Sequence, residues 1–165
     1  MHVLLALLLA ASPDAGVSPS LPVSGAFITA ASLDKAALEA LMPVTKTWRD
    51  KKGEHQVKGV RLDAVLLKLG YSEGASGPKV NPVEKHAGLR AAVVARAADG
   101  FEAVFSVGEL LATLGKTEAL VVWEQDGAPL SDTMGPFRIV VTTDALPSRS
   151  IYQLRSLEVV DLRKR

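Results

Sequence analysis

The last third of the sequence constrains the fold most, because segments that favour strands alternate there with segments that favour turns. An apolar run from Ala119 to Trp123 is followed by Asp126-Gly127, a dipeptide that readily takes the positive φ angles of a tight hairpin turn. After a polar loop, Gly135-Pro136-Phe137-Arg138 leads into the β-branched run Ile139 to Thr143, and Ser156 to Leu162 favours another strand. The pattern predicts three strands, with an arginine at the start of the middle one.

Further strand signals lie upstream, and most of them come in pairs around a turn. Lys51-Lys52-Gly53-Glu54 and Asp99-Gly100 are both turn-forming sequences, and each is flanked by segments that favour strands. Two hairpins are therefore predicted. The segments that favour strands are Val23 to Thr29, Val44 to Arg49, His55 to Val57, Leu89 to Ala97 and Phe101 to Phe105.

Three short helices are predicted from apolar spacing and from capping residues. The segments Leu62 to Leu69 and Val107 to Leu114 each carry apolar residues at i, i+3, i+4 and i+7, which gives each helix one apolar face. Ser106 and Glu109 form a capping-box pattern ahead of the second helix. A third helix is expected from Ser32 to Leu41, with Ser32 as the N-cap. With about seven or eight strands, these elements predict an α+β domain with a mixed or antiparallel sheet.

Three sequence blocks, in this order, resemble the molybdopterin-binding domain of the sulfite oxidase family. The first is similar to the family's "GV.L..LL..AG" helix, the second to its "DGY" turn and following helix, and the third to its "NG.PL", "G.P.R", valine-rich strand and basic loop. The blocks are Lys58 to Tyr71, Asp99 to Phe101 with Ser106 to Leu111, and DGAPL followed by GPFR, IVV and SRS. The resemblance implies a sulfite-oxidase-like fold with a pocket for molybdopterin or another pterin.

The sequence departs from this family at one chemically decisive point, because it contains no cysteine. In the redox-active members, a cysteine near the end of the second strand ligates molybdenum, and its place here falls near Trp48, Arg49 and Asp50. A carboxylate such as Asp50 is a poor substitute, since hard oxygen and soft sulfur suit different metals. We therefore expect pterin binding without redox catalysis, and no catalytic or metal-ligating residue. The alternatives are a molybdenum oxidoreductase subunit that holds the metal through the dithiolene alone, and a non-binding interaction module.

Arg138 is the strongest single candidate for a ligand-binding residue. A guanidinium group can bind a phosphate through two parallel hydrogen bonds, and Gly135 allows close approach of the backbone. The alternative is a surface arginine beside an acidic neighbour such as Asp132. The resemblance implies a pocket between the Trp48 strand, the 72 to 88 loop and the Gly135 to Arg138 loop. The other candidate binding residues are Trp48, for stacking, then Arg49, Asp50, His86, Arg90 and Arg149, with Lys46 as a further cation for a phosphate.

A dense basic cluster surrounds the first predicted hairpin. It could attract an anionic group, although a solvated hairpin tip is the more common explanation. Neither His55 nor His86 lies in a metal-binding motif. The cluster consists of Lys46, Arg49, Lys51, Lys52, Lys58 and Arg61.

The N-terminus and the overall charge bound the protein's location and partners. An apolar run from Val3 to Ala11 predicts a signal peptide over residues 1 to 15, a linker over 16 to 22 and the domain over 23 to 165. The alternatives are a frayed hydrophobic N-terminal helix packed on the domain and a mis-called start codon. We expect a periplasmic or secreted protein, without a membrane span after signal removal, that binds a pterin-type molecule and has an envelope protein as a possible partner. A formal net charge of +1 gives nucleic-acid binding no support.

Overall fold

The computed structural model describes residues 18 to 74, 78 to 81 and 84 to 163. This part of the chain contains ten strands, three short α-helices and two 3₁₀ turns, at Ala87–Arg90 and Pro147–Arg149. The predicted signal peptide lies outside the described residues. The helices are α1 (Lys35–Glu39), α2 (Leu62–Lys68) and α3 (Val107–Leu110). The strands are β1 (Ser20–Gly25), β2 (Ala31–Asp34), β3 (Val44–Asp50), β4 (Gly53–Arg61), β5 (Ala91–Ala97), β6 (Glu102–Ser106), β7 (Ala119–Gln125), β8 (Ala128–Pro129), β9 (Arg138–Val141) and β10 (Leu154–Asp161).

The strands form two five-stranded sheets. The first sheet has the order β2-β1-β10-β5-β6, and it is mixed because β1 and β10 run parallel while the other neighbours are antiparallel. The second sheet has the order β3-β4-β7, with β8 and β9 both paired to the far side of β7, and all its pairs are antiparallel. The predicted α+β class with mixed and antiparallel sheets is confirmed.

Strands β7 and β9 of the second sheet are buried on both faces, which explains why β7 is continuously apolar over Ala119 to Trp123. One face contributes Val121, Trp123 and Ile139 to the main core, which also includes residues of the first sheet and the helices. The opposite face carries a smaller cluster. It consists of Trp48, Val57, Leu120, Val122 and Val140. Successive residues of β7 and β9 thus enter different clusters, as the two-residue period of a strand requires.

The first strand and the first helix begin at residues other than those predicted from the sequence. The first strand begins at Ser20, inside the predicted linker, and ends at Gly25 rather than Thr29. Gly25 has a φ of 119°, and a Cβ there would lie 2.1 Å from the carbonyl oxygen of Val159, so the chain turns away at that point. The first helix begins at Lys35, because Oδ1 of Asp34 accepts the N–H of Ala37 as its N-cap. The predicted N-cap, Ser32, instead belongs to β2.

The third helix is shorter than its apolar spacing predicted. Oε1 of Glu109 accepts the N–H of Ser106, so the capping box that begins the helix is confirmed. The helix ends at Leu110, and Leu111 takes an extended conformation that buries its side chain in the core. Leu114, predicted as the last apolar residue of the helix, is 55% exposed. Burial of Leu111 therefore overrides the continuing periodicity.

Candidate ligand-binding cleft

Arg138 is the first residue of β9, as predicted, and it lies opposite Val122 of β7. This register turns its side chain toward the smaller apolar cluster rather than the main core. The side chain is only 1% exposed, although it carries a full charge. The alternative of a surface arginine beside Asp132 is therefore wrong, and the burial of this charge requires a different explanation.

The guanidinium group of Arg138 is held between two aromatic rings. Its Cζ atom lies 4.8 Å from the ring centroid of Trp48 and 4.4 Å from that of Tyr152. Nη1 donates a hydrogen bond of 2.9 Å to Oε1 of Gln125 and lies 3.8 Å from Sδ of Met134. Both rings contact the cation favourably, and they fix the plane of the guanidinium group.

Among the described residues, no carboxylate forms an ion pair with the Arg138 guanidinium group, and its Nε–H has no hydrogen-bond partner. Burial lowers the pKa of Arg138, and the influence of Tyr152 and Asp50 only partly opposes this effect. A buried charge without a partner is energetically costly unless another group supplies that partner. The arrangement therefore leaves a buried cation with one unpaired donor at the wall of the cleft.

Tyr152 was not among the residues predicted from sequence, and backbone pairing explains its position. Ile139 and Ile151 exchange two backbone hydrogen bonds, each 2.9 Å long. Because the two segments are antiparallel there, the residue before Ile139 and the residue after Ile151 lie opposite each other. The sequence offers one signal for this residue, because Tyr152 follows the basic Ser148-Arg149-Ser150 segment that the family resemblance includes.

Arg138, Trp48 and Tyr152 line a cavity of about 240 Å³, to which we refer together with its neighbour as the cleft. A second cavity of about 380 Å³ shares Trp48 and several other residues with it. The first cavity is also lined by Asp50, Lys51, Lys52, Pro147 and Ser150, and the second by Thr47, Arg49, Thr142, Asp144, Ala145 and Leu146. Volumes of this size approach the roughly 300–1,000 Å³ of small-molecule sites.

The turn between β3 and β4 brings two lysines to the cleft. Oδ1 of Asp50 accepts the backbone N–H of Lys52 at 2.7 Å and that of Gly53 at 3.2 Å. Burial works against ionisation of Asp50, but these hydrogen bonds and the nearby His55 together lower its pKa. The carboxylate therefore stabilises the turn on which Lys51 and Lys52 lie.

The basic cluster around this hairpin divides into two groups. Four members are paired with acids: Lys46 with Glu118, Arg49 with Glu54, Lys58 with Glu124 and Arg61 with Asp63. Lys51 and Lys52 line the cleft instead. Thus only part of the cluster is placed to attract an anion.

Arg149 supports the wall of the cleft. Its guanidinium group binds both carboxylate oxygens of Asp144, at 2.9 and 2.7 Å, and Nη1 donates to Oε1 of Glu109 at 3.1 Å. These interactions raise the pKa of Arg149 well above its ordinary value, with the hydrogen bond to Asp144 as the largest cause. Because its charge is already paired, Arg149 holds the segment after β9 against α3. Arg49 lines the second cavity and pairs with Glu54 at the surface.

The remaining predicted site residues lie elsewhere. His86 is at the end of the 72 to 88 loop, with Nδ1 3.9 Å from Oε2 of Glu73, and the carbonyl oxygen of Arg90 accepts the N–H of Leu162. Gly135 approaches its own loop, where an added Cβ would lie 2.9 Å from that of Leu130. No described residue of the 72 to 88 loop lines the cleft, so the wall predicted there is instead formed by the segment after β9.

The cleft fits an anionic ligand better than a protein-bound metal. The free Nε–H and buried charge of Arg138 suit the phosphate of a pterin cofactor. For a metal, the chain has no thiolate to offer, and Oδ1 of Asp50 is engaged with the hairpin turn. Within residues 18 to 74, 78 to 81 and 84 to 163, no group of three or more His, Asp or Glu side chains could hold a metal ion.

Comparisons with known proteins identify the fold. No protein-family profile matches the sequence, and no curated protein matches it significantly. Among solved structures, the chain is similar to the sulfane dehydrogenase SoxCD from Paracoccus pantotrophus, with a TM-score of 0.63 and 14% sequence identity over 86% of this chain. The chain spans only 38% of the length of that structure. The domain therefore has a sulfite-oxidase-like fold, distantly similar to that of molybdopterin oxidoreductases, as the sequence predicted.

The helices of the described part of the chain are all short. None of them is long and apolar enough to cross a membrane.

Proposed function

We propose that this domain binds a small anionic ligand of the pterin type in the cleft and carries out no redox chemistry of its own. The observation that supports this most directly is Arg138, a buried cation with a free N–H and no carboxylate partner among the described residues. Its position beside two aromatic rings matches a ligand that combines a phosphate with a flat ring system. Molybdopterin and simpler pterin phosphates both have this chemistry.

Each residue of the cleft has a distinct part in the proposed binding. The Nε–H of Arg138 is buried in the ligand-free protein and would donate to a phosphate oxygen after a local shift of the side chains that cover it. Lys51 and Lys52 would attract the anion from the rim. A molybdenum centre, when present in this fold, supplies oxygen transfer; here no cysteine is available to ligate it.

We also propose that the protein acts in the cell envelope. There it delivers its ligand to a partner protein, or the partner recognises the ligand-bound form. The apolar segment from Val3 to Ala11 supports export. A domain that binds without turnover needs a second protein to make use of the ligand. Recovery of the protein from a periplasmic fraction with a new N-terminus near residue 16 tests export, whereas an intact Met1 would refute it.

Trp48 provides a direct probe of ligand binding, because the chain has only two tryptophans and Trp123 lies in the main core. In a Trp123→Phe background, 6-hydroxymethylpterin diphosphate should quench the remaining tryptophan fluorescence. Arg138→Gln should weaken this binding about tenfold or more, since a hydrogen bond to a charged group contributes roughly 1.5–3 kcal/mol. Arg96→Gln is the matched control, because Arg96 is paired with Glu102 and Glu158 outside the cleft.

Equal affinity of the Arg138 and Arg96 variants would contradict the proposed function. Elemental analysis and acid release of pterin from natively purified protein separate it from its rivals. Pterin without molybdenum supports the binding domain, and stoichiometric molybdenum would instead support an oxidoreductase subunit. No pterin and no quenching would favour an interaction module.

A further inference from the structure

A third cavity, of about 210 Å³, adjoins the cleft at Tyr152. It is lined by Ala97, Asp99, Phe101, Ser150, Ile151 and Tyr152, and the cleft shares Ser150 and Tyr152 with it. We infer that this cavity binds the flat heterocyclic ring of the ligand, while Arg138 binds its anionic group. The inference rests on the proposed function and assigns the two ends of the ligand to separate places.

The two aromatic rings of this cavity are unusually accessible. Phe101 is 47% exposed and Tyr152 is 45% exposed, whereas Phe105 and Phe137 are at most 2% exposed. Arg138 covers one side of the Tyr152 ring at 4.4 Å. A flat ring placed beside Phe101 and Tyr152 would gain aromatic contacts that the protein itself leaves unused.

The backbone fixes the geometry of the cavity. The turn between β5 and β6 is closed by Gly100, with a φ of 88°, and by Oδ1 of Asp99, which accepts the N–H of Phe101 at 2.9 Å. The N–H of Ala98 donates to the carbonyl oxygen of Gln153 at 3.0 Å, which ties this turn to the segment containing Tyr152. Phe101 and Tyr152 are thus positioned before any ligand binds.

The charges around the two cavities differ in sign. Among the described residues, Asp99 is the only charged one that lines the third cavity. In the neighbouring 240 Å³ cavity, Lys51, Lys52 and Arg138 give an excess of positive charge over Asp50. One oxygen of Asp99 accepts a backbone N–H, and a carboxylate has further lone pairs for a second donor. This polarity suits a heterocycle whose ring carries amino or ring N–H donors and whose side chain carries a phosphate.

The inference is tested by dividing the ligand into its two parts. Three probes are titrated: 6-hydroxymethylpterin for the ring, inorganic pyrophosphate for the anion, and 6-hydroxymethylpterin diphosphate for both. Phe101→Ala should weaken the ring probe and the complete ligand about fivefold or more, and leave pyrophosphate within about twofold. Asp99→Asn, which keeps an oxygen acceptor for the turn, should weaken the ring probe but not pyrophosphate. Leu67→Ala is the control, since Leu67 is 57% exposed and lines none of these cavities.

Arg138→Gln should have the opposite effect, with loss of pyrophosphate binding and an unchanged ring probe. If Phe101→Ala and Asp99→Asn bind the ring probe like the wild type while Arg138→Gln still loses the complete ligand, the ring lies elsewhere, and the inference fails although the proposed function stands. If Arg138→Gln binds the complete ligand normally, the proposed function fails. Circular dichroism of each variant confirms that an affinity change does not arise from unfolding.

Discussion

Replacement of Arg138 by methionine should stabilise the ligand-free protein, although arginine fills a buried position. The buried guanidinium group gains one hydrogen bond to Gln125, worth roughly 1.5–3 kcal/mol because its donor is charged, and two ring contacts worth roughly 0.5–2 kcal/mol each. Against this, removal of the charge from water costs several kcal/mol, and the Nε–H without a partner adds about 1–3 kcal/mol. Methionine fills much of the same volume without a charge. We expect the free energy of unfolding to rise by about 1–2 kcal/mol.

The matched control is Arg149→Met, because Arg149 is an arginine whose charge is fully used. Its contacts with Asp144 and Glu109 would be lost, so the free energy of unfolding should fall by about 1–2 kcal/mol. Urea unfolding at pH 7 measures both changes, and a domain of this size should shift its Tm by roughly 2–4 °C per kcal/mol. The two variants should therefore move in opposite directions. A loss of more than about 1 kcal/mol in Arg138→Met would show that Arg138 is structural, and the argument that its charge awaits an anion would fail.

Three further predictions concern the fold around the cleft. Gly59→Ala should lower the free energy of unfolding by about 2–4 kcal/mol, because its Cβ would lie 2.2 Å from the carbonyl oxygen of Val121. Gly108→Ala in α3 is the control and should be neutral or stabilising, and thermal unfolding compares the two variants. Asp50→Ala should cost about 1–2 kcal/mol at pH 7. Since folding lowers the pKa of Asp50, this cost should disappear as the pH falls below 3.8, and a constant cost in urea unfolding from pH 7 to 2.5 would refute it. Burial raises the pKa of Tyr71 to about 12, so the wild type should lose stability relative to Tyr71→Phe between pH 10 and 12, and parallel stability curves would contradict this.

The sequence alone was sufficient to predict the fold class and the position of Arg138 at the start of a strand, because both depend on local patterns. The β-branched run after Gly135-Pro136-Phe137 locates the start of β9, and alternation along β3 makes Trp48 a candidate for a buried position. Long-range register, in contrast, has no local signature. Tyr152 reaches Arg138 only because Ile139 pairs with Ile151.

The same limit explains the residues that do not meet at the cleft. His86 and Arg90 are predicted because they lie at the end of a long Gly- and Pro-rich loop, but chain order does not determine which loop closes a pocket. Arg149 is predicted as a cation for a ligand, yet its charge is satisfied by Asp144 and Glu109. Asp144 precedes Arg149 by five residues and Glu109 precedes it by 40, and no local pattern shows that the chain brings all three together.

Glu109 gives the cleft an unexpected dependence on a helix that lines none of it. Its two oxygens accept hydrogen bonds from the N–H of Ser106, from Oγ1 of Thr117 and from the guanidinium group of Arg149. The start of α3, the connection to β7 and the segment after β9 therefore meet at a single carboxylate. Opening of any one of them weakens the other two, so this corner of the molecule should behave as one cooperative unit. The ligand, by bracing the segment after β9, would then slow the fraying of α3 without contacting it.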